Sequence, residues 1–192
     1  MKNITSFGTP QIKSNYFIDK QLSNNILNWV LNNEDLIKKE QNHFHEGLIY
    51  GRIHMENNTE FIDFPNNDLR LLEEKIKNFF NLPLDTITEP DFGIVLMYAP
   101  GGDNGYRCIP HTDRNANDLI HTKFNVMLSK PEIGGNPIIE DEVIDVEENE
   151  VWICVAGLKT HSTVKMEGMK PRVMFSFGYL LPKEFLLNNN WI

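Results

Sequence analysis

The sequence predicts a mainly β (α+β) protein, in which a jelly-roll barrel carries N-terminal helices packed on one sheet. Two observations predict this class. Two amphipathic helical patterns precede residue 83, and short β-type runs separated by Pro-Gly, Gly-Gly and Asn-Pro turns follow residue 90. The 192 residues contain no internal repeat and no linker. We therefore expect a single domain over residues 1–192, with helical support and edge strands in 1–90 and the barrel core in 91–182.

Composition excludes several classes of protein. The net charge is −9, from 27 acidic and 18 basic residues, which disfavours a general nucleic-acid binder. No apolar run approaches the length that crosses a membrane, and the N-terminus lacks the apolar core of a signal peptide. Two cysteines, Cys108 and Cys154, are too few for a disulfide framework. We expect a cytoplasmic protein with free thiols and no membrane partner.

The first ninety residues supply the predicted support elements. An edge strand is predicted around residues 12–17, and further strands over 48–54 and 59–64. A helix is predicted between Asp19 and Lys39, capped by Asp19 or Ser23, and a second one opens at Asn67. We interpret His43 and His45 as loop residues, since no Cys or further His lies near enough to complete a metal site. The apolar positions of the two helices are Leu22, Ile26, Leu27, Val30 and Leu31, then Leu69, Leu71, Leu72, Ile76, Phe79 and Phe80.

Alternation along two later strands predicts a cavity. Side chains alternate across a strand, and both 123–128 and 172–179 have one apolar face that needs cover from the helices. The opposite faces mix methionine with Lys123, Asn125, Arg172 and Ser176, which suits a cavity wall better than open water. An ordinary half-exposed strand is the alternative interpretation of each segment.

Two histidines and a carboxylate form a candidate metal site. His111 and Asp113 are one residue apart and can point to the same side of a strand end, and His161 follows 50 positions later. Such a set suits non-haem Fe(II) and leaves positions for a bidentate 2-oxo acid and dioxygen. Arg172, 11 positions after His161, offers a fork for a far carboxylate, to which Ser176 or the Tyr98 hydroxyl can add a hydrogen bond. Hydrolytic zinc is the alternative metal, although it has no evident need for Arg172.

Two stretches resemble a known superfamily. The segment from Tyr98-Ala99-Pro100-Gly101-Gly102 to Ile109-Pro110-His111-Thr112-Asp113 resembles the Fe(II)/2-oxoglutarate-dependent oxygenases of the prolyl hydroxylase kind. The later Glu150-Val151-Trp152, Thr160-His161-Ser162 and Lys170-Pro171-Arg172 resemble the aspartyl/asparaginyl β-hydroxylase branch. The resemblance covers roughly residues 94–180.

The resemblance implies a fold, a set of cofactors and a reaction. The fold is a double-stranded β-helix, a cupin-like jelly roll. The cofactors are Fe(II), with 2-oxoglutarate and O₂ as co-substrates, and the reaction is hydroxylation coupled to oxidative decarboxylation to succinate and CO₂. A carboxylate at the position of Asp113 favours hydroxylation, because halogenating relatives have Gly or Ala there. The residues carried over are His111, Asp113 and His161 as iron ligands, Arg172 and Tyr98 as co-substrate contacts, and Lys123 and Asn125 at positions that hold Arg and His in the branch.

The substrate is the least constrained part of the prediction. We expect a small molecule, such as a free amino acid or a biosynthetic intermediate. The alternatives are a protein or peptide side chain and, outside enzymology, a cupin-like metal- or ligand-binding protein. Arg114 is a candidate contact for a substrate carboxylate, whereas Trp152 is more typical of a core residue than of a substrate contact. The acidic stretch 140–150 is interpreted as a solvated turn edge, or as a rim that attracts a cationic substrate.

Overall fold

The structure is a computed structural model that describes residues 12–37, 39–40, 45–47, 50–54, 63–90, 93–100 and 102–192. His43 and most of the strand predicted over 59–64 lie outside these ranges, while residues 63–64 form a turn. The described helices are α1 (Lys20–Asn32), α2 (Asn66–Phe80) and α3 (Lys183–Asn188), with a 3₁₀ helix over Glu34–Leu36. The described strands are β1 (Ile12–Phe17), β2 (Lys39–Glu40), β3 (His45–Gly47), β4 (Tyr50–His54), β5 (Ile87–Thr88), β6 (Ile94–Ala99), β7 (Gly102–Cys108), β8 (Leu119–Ser129), β9 (Pro137–Ile139), β10 (Glu142–Val143), β11 (Glu150–Cys154), β12 (His161–Thr163), β13 (Met166–Gly168) and β14 (Arg172–Pro182).

The strands form three antiparallel sheets, as expected of a mainly β chain. The large sheet has the order β1-β11-β8-β14-β6-β4-β2, and β5 pairs with β14. The two smaller sheets have the orders β10-β9-β12 and β13-β7-β3. The longest pairing joins β8 to β14, from Leu119 opposite Pro182 to Ser129 opposite Val173, with an irregularity between Val173 and Met174. The predicted edge strand β1 is confirmed at one end of the large sheet.

Local chemistry explains where the two long helices begin and end. The Asp19 carboxylate accepts hydrogen bonds from the backbone N–H groups of Gln21 (2.8 Å) and Leu22 (3.3 Å), which confirms Asp19 as the cap of α1. The helix ends at Asn32, short of the predicted Lys39. Helix α2 begins one residue before the predicted start and ends at Asn81, which adopts the left-handed conformation (φ 49°) typical of a helix C-terminus.

The large sheet separates two layers of core. Its apolar face, with Phe124 and Phe175, packs on α1, α2 and α3, as the alternation predicts. Its opposite face, with Met127 and Met174, packs on Ile139 of strand β9 and on Ile144 and Val146, which follow strand β10. The structure is therefore layered as helices, large sheet and small sheets, and polar positions of the large sheet are enclosed between sheets. No helix in the described ranges is both long enough and apolar enough to span a membrane.

Helix α2 provides a matched test of this packing. Leu72 is fully buried against the sheet, whereas the side chain of its neighbour Leu71 is 42% exposed. We expect Leu72→Ala to lower the free energy of unfolding by about 2–5 kcal/mol, because it leaves a cavity, and Leu71→Ala to change it by less than about 0.5 kcal/mol. Urea unfolding followed by circular dichroism measures both values. Equal losses in the two variants would contradict the packing of α2 through this face.

Candidate metal centre

The structure brings His111, Asp113 and His161 together. His111 lies just after β7 and forms a two-way backbone bridge with His161 at the start of β12, with N···O distances of 3.1 and 2.9 Å. The bridge places the two imidazole rings side by side, with centroids 4.3 Å apart. The backbone N–H of Asp113 donates to the Ala156 carbonyl at 2.8 Å, which holds this residue against the turn after β11. One ligand atom from each of the three side chains lies within 4.8 Å of the others.

A backbone carbonyl lies next to the Nδ1 atom of each imidazole. His111 Nδ1 lies 2.8 Å from the Ile109 carbonyl, and His161 Nδ1 lies 3.1 Å from the Lys159 carbonyl. The Nδ1 atoms therefore carry the protons and donate, which leaves a lone pair on each Nε2. The two Nε2 atoms lie 3.6 and 3.9 Å from Asp113 Oδ1. Metal-binding histidines commonly donate their second N–H to a carbonyl in this way, and the arrangement matches a two-histidine, one-carboxylate centre.

The second carboxylate oxygen of Asp113 contacts strand β8. Lys123 Nζ lies 2.6 Å from Oδ2, and His121 Nδ1 lies 3.3 Å from the same atom. Lys123 Nζ also lies 3.5 Å from His161 Nε2. Lys123 thus occupies the predicted cavity face. His121 is not among the predicted site residues, although it lies two residues from Lys123 and therefore on the same face of β8.

The electrostatics of the cluster keep His161 and His121 neutral and Asp113 ionised. Burial, together with the Lys123 ammonium, lowers the pKa of His161 to about 3, and it lowers the pKa of His121 to about 4. Burial alone would raise the pKa of Asp113. The neighbouring Lys123, His161 and His121 outweigh burial and hold the pKa of this carboxyl below its usual value. The site therefore offers neutral imidazole nitrogens and a carboxylate, which are the forms that bind a metal ion.

Three further predicted residues lie on the predicted cavity face of the large sheet. Asn125 lies opposite Ser176 in the pairing of β8 with β14, and Arg172 lies on the same face of β14 as Ser176. All three side chains are buried. Arg172 Nε donates to the Gly135 carbonyl at 2.8 Å. Ser176 Oγ is fully buried without a hydrogen-bond partner among the described residues, so its donor and acceptor are both unused.

Tyr98 is not brought to this cavity. It lies opposite Val173 in the pairing of β6 with β14, and it packs in the core that faces the helices. Burial and a hydrogen bond to Glu34 raise the pKa of its hydroxyl well above the usual value. This placement argues against the predicted co-substrate contact. The alternation of side chains along β6 predicts this placement, because Met97 lies on the predicted cavity face and its neighbour Tyr98 therefore lies on the opposite face.

The remaining candidates have distinct surroundings. Trp152 is buried among Met127 and Met174, which agrees with the expected core role. Arg114 is exposed directly beside Asp113 in the chain. Cys108 and Cys154 are free thiols, and Cys108 Sγ lies 3.7 Å from His111 Nδ1.

Most acidic residues of the stretch 140–150 are exposed, as the solvated-edge interpretation predicts, and Glu150 is the buried exception. Glu140 pairs with Lys159 at 3.0 Å, and Asp145 pairs with Lys130 at 3.0 Å. Glu150 is fully buried and accepts a hydrogen bond from the Glu147 backbone N–H at 2.9 Å. Several of these charges are therefore paired or enclosed, and the stretch does not present a uniform acidic rim.

The buried imidazoles predict acid sensitivity. His121 and His161 have folded-state pKa values near 4 and 3, below the unfolded value of 6.5, so the unfolded chain binds more protons as the pH falls below 6.5. Their contribution to stability is fully present above pH 6.5 and is lost as the pH falls toward 4. We expect the urea midpoint of the metal-free protein to fall steadily over this range, and His121→Gln to fall less steeply. A midpoint that stays flat from pH 7 to 4.5 would contradict neutral, buried imidazoles.

Comparison with known proteins agrees with the architecture. The sequence matches no protein-family model and no curated protein. Among solved structures, a prolyl hydroxylase from Trichoplax adhaerens, in complex with a hypoxia-inducible-factor oxygen degradation domain peptide fragment, is 14% identical, covers 89% of this chain and 83% of that one, and has a TM-score of 0.63. A Pseudomonas putida prolyl-4-hydroxylase is 14% identical with a TM-score of 0.55, covering 87% and 89%. HygX from Streptomyces hygroscopicus, with nickel and 2-oxoglutarate bound, is 12% identical with a TM-score of 0.51, covering 84% and 79%. At these identities the likeness concerns the fold, and the chain has the fold of the prolyl hydroxylases and related 2-oxoglutarate/Fe(II) oxygenases.

Proposed function

We propose that the chain is an Fe(II)- and 2-oxoglutarate-dependent dioxygenase that hydroxylates an unactivated C–H bond of a small molecule and releases succinate and CO₂. The observation that carries this proposal is the convergence of His111 Nε2, His161 Nε2 and Asp113 Oδ1, with the Nδ1 atoms held by backbone carbonyls. Three protein ligands of this kind leave positions for a chelating co-substrate and dioxygen. The double-stranded β-helix belongs to the same proposal, with residues 91–182 as its catalytic core and residues 1–90 as its support.

The donor set and its surroundings favour Fe(II) over hydrolytic zinc. A zinc hydrolase needs a general base beside the metal in addition to its ligands. Among the described residues, the cluster of potential ligands contains only these two histidines and one carboxylate. The nearest further side chains on β8 are His121 and Lys123, and both contact Asp113 Oδ2.

The cavity face offers a fitting site for a dicarboxylate. The buried guanidinium of Arg172 can form a bidentate pair with a far carboxylate, and the unpartnered Ser176 Oγ can add a hydrogen bond. The Asn125 amide lies opposite Ser176 on the same wall. Lys123 is paired with Asp113 in this structure, so we assign the co-substrate carboxylate to Arg172.

The residues of the chain bind, orient and enclose the reactants. Fe(II), 2-oxoglutarate and O₂ together supply the oxidation chemistry. The imidazoles and Asp113 hold the metal ion, while Arg172, Ser176 and Asn125 orient the co-substrate. Met127, Trp152 and Met174 form an apolar wall beside these groups, which excludes water from the reacting atoms and strengthens the polar contacts inside.

A peptide substrate is the second candidate. The Trichoplax adhaerens prolyl hydroxylase that shares this fold is seen with a peptide fragment, which favours this alternative.

The exposed Arg114, next to Asp113, is the proposed contact for a substrate carboxylate. Trp152 is enclosed in the core, and we assign it to the cavity wall rather than to the substrate.

Turnover of 2-oxoglutarate tests the proposed reaction. With Fe(II), ascorbate, O₂ and a panel of free amino acids and short peptides, we expect the wild type to form succinate and His111→Ala to form none above background. Absence of succinate from the wild type with every panel member, at full metal occupancy, would contradict the proposal. The panel member that stimulates turnover separates the small-molecule alternative from the peptide alternative.

Arg172 is tested in the same assay. We expect Arg172→Ala to raise the KM for 2-oxoglutarate at least about tenfold, because it loses a charge-assisted hydrogen-bonded pair, with metal affinity nearly unchanged. Arg70→Ala, which removes an exposed arginine from α2, is the matched control and should behave as the wild type. Equal loss of metal and co-substrate affinity would mean that Arg172 acts on the structure instead.

Ser176 gives a finer test, because its hydroxyl has no partner in the described structure. We expect Ser176→Ala to raise the KM for 2-oxoglutarate about two- to tenfold, the equivalent of one hydrogen bond of about 0.5–1.5 kcal/mol. Its free energy of unfolding should not fall, since the substitution removes an unsatisfied buried oxygen. A loss of stability with an unchanged KM would place this hydroxyl in the fold and not in the co-substrate site.

A further inference from the structure

The two oxygens of Asp113 have different surroundings. Oδ1 faces the Nε2 atoms of His111 and His161, at 3.6 and 3.9 Å. Oδ2 faces strand β8, where Lys123 Nζ lies 2.6 Å away and His121 Nδ1 lies 3.3 Å away. The carboxylate therefore has one oxygen directed to the candidate metal ligands and one oxygen held by strand β8, whose Lys123 Nζ also lies 3.5 Å from His161 Nε2.

Strand β8 and the neighbouring turns fix this arrangement. His121 and Lys123 are two residues apart on one face of β8, and only 3% and 7% of their surfaces are exposed. The His121 backbone N–H donates to Asn115 Oδ1 at 3.0 Å, and Asn115 Nδ2 donates to the Gly157 carbonyl at 2.9 Å. The Gly157 N–H in turn donates to the His121 carbonyl at 2.9 Å. These bonds tie the start of β8 to the segment that carries Asp113.

The close fit of this junction explains the glycine in it. A Cβ atom at Gly157 would lie 1.7 Å from Asn115 Oδ1, so any side chain there would displace the Asn115 amide. Asn115 would then lose its bonds to both Gly157 and His121. The position of His121 relative to Asp113 is thus set by packing as well as by hydrogen bonds.

We propose that Lys123 and His121 are positioning residues for the metal centre: they hold Asp113 Oδ2 so that the carboxylate presents Oδ1 alone to the metal ion. The proposal rests on the metal site of the proposed function and assigns Lys123 to Asp113 rather than to the co-substrate. A carboxylate can bind a cation through one oxygen or through both. Binding through both would take up a coordination position, and the chelating co-substrate and dioxygen together need three.

The contact made by Lys123 is suited to this role. Lys123 Nζ and Asp113 Oδ2 form an ion pair at 2.6 Å, and in a buried site the attraction between opposite charges is stronger than in water, so the pair favours one orientation of the carboxylate. Partners of this kind, which contact a ligand and not the metal, typically change metal affinity or activity about 10- to 100-fold when they are removed. The neutral His121 adds a second contact to Oδ2 from the next position on the same face of β8.

Cobalt(II) provides a probe of the coordination that does not depend on turnover. We would titrate the metal-free protein with Co(II) without oxygen and record the visible absorption spectrum before any 2-oxoglutarate is added. Lys123→Met should give a changed spectrum, because Oδ2 becomes available to the cation, and a 2-oxoglutarate affinity lowered at least about tenfold. Lys123→Arg, which keeps the positive charge but offers a planar fork in place of a compact ammonium, should give a spectrum between those of the wild type and Lys123→Met. Lys165→Met, which removes a lysine whose side chain is 55% exposed, is the matched control.

The outcomes separate this proposal from the proposed function. A Lys123→Met spectrum identical to that of the wild type in the absence of 2-oxoglutarate would overturn the positioning role, even if co-substrate affinity fell. Failure of the wild type to bind Co(II) would overturn the metal site itself, and the positioning role with it. His121→Leu provides a second variant should Lys123→Met fail to fold. It leaves Lys123 in place, and a spectrum shifted in the same direction by a smaller amount is expected, whereas an unchanged one would count against the proposal.

Discussion

The antiparallel pairing of β8 with β14 is the constraint on which the rest of the structure depends. It runs the length of both strands, from Leu119 opposite Pro182 to Ser129 opposite Val173, and it fixes which side chains share a face. One face carries the aromatic side chains that the helices cover. The other face carries the polar side chains that surround the candidate site. A shift of the register by one residue would exchange the two faces and place charged groups against the helices.

Burial of this polar face has an electrostatic cost that the cluster offsets internally. An unpaired charge in such a place would be strongly destabilising, but Lys123 and Asp113 form an ion pair and the neighbouring imidazoles remain neutral. The same burial that disfavours imidazolium makes His161 a lone-pair donor at neutral pH. The low polarity of the site thus serves the fold and the proposed chemistry together, because both need uncharged imidazoles and a compensated carboxylate.

Strand alternation and residue spacing could predict the parts of the site that depend on one strand at a time. The faces of β8 and β14, the placement of His111 beside Asp113 and the cap at Asp19 follow from local pattern. The co-substrate contact predicted for Tyr98 follows from the motif around it, whereas the alternation of side chains along β6 directs Tyr98 to the helices.

Other features depend on contacts between segments far apart in the chain. Glu150 is enclosed because β11 pairs with both β8 and β1, and no property of the acidic stretch itself indicates this burial. His121 contacts Asp113 because the folded chain brings the segment that carries Asp113 against the start of β8, where Asn115 accepts a hydrogen bond from the His121 backbone N–H. Sequence pattern describes which face a side chain occupies, but it does not describe which distant loop covers that face.

The two buried cationic side chains, Lys123 and Arg172, suit different partners. A compact ammonium suits a single acceptor oxygen, whereas a planar guanidinium suits both oxygens of a carboxylate. Lys123 meets one oxygen of Asp113 at 2.6 Å, and Arg172 lies farther along the same wall, beyond Ser176. Lysine at the first position fits the orientation of a metal ligand, and arginine at the second fits the capture of a dicarboxylic co-substrate. The positioning role proposed for Lys123 fits a lysine at this position, where the β-hydroxylase branch that the sequence resembles has arginine, because Lys123 Nζ contacts a single oxygen of the protein's own carboxylate.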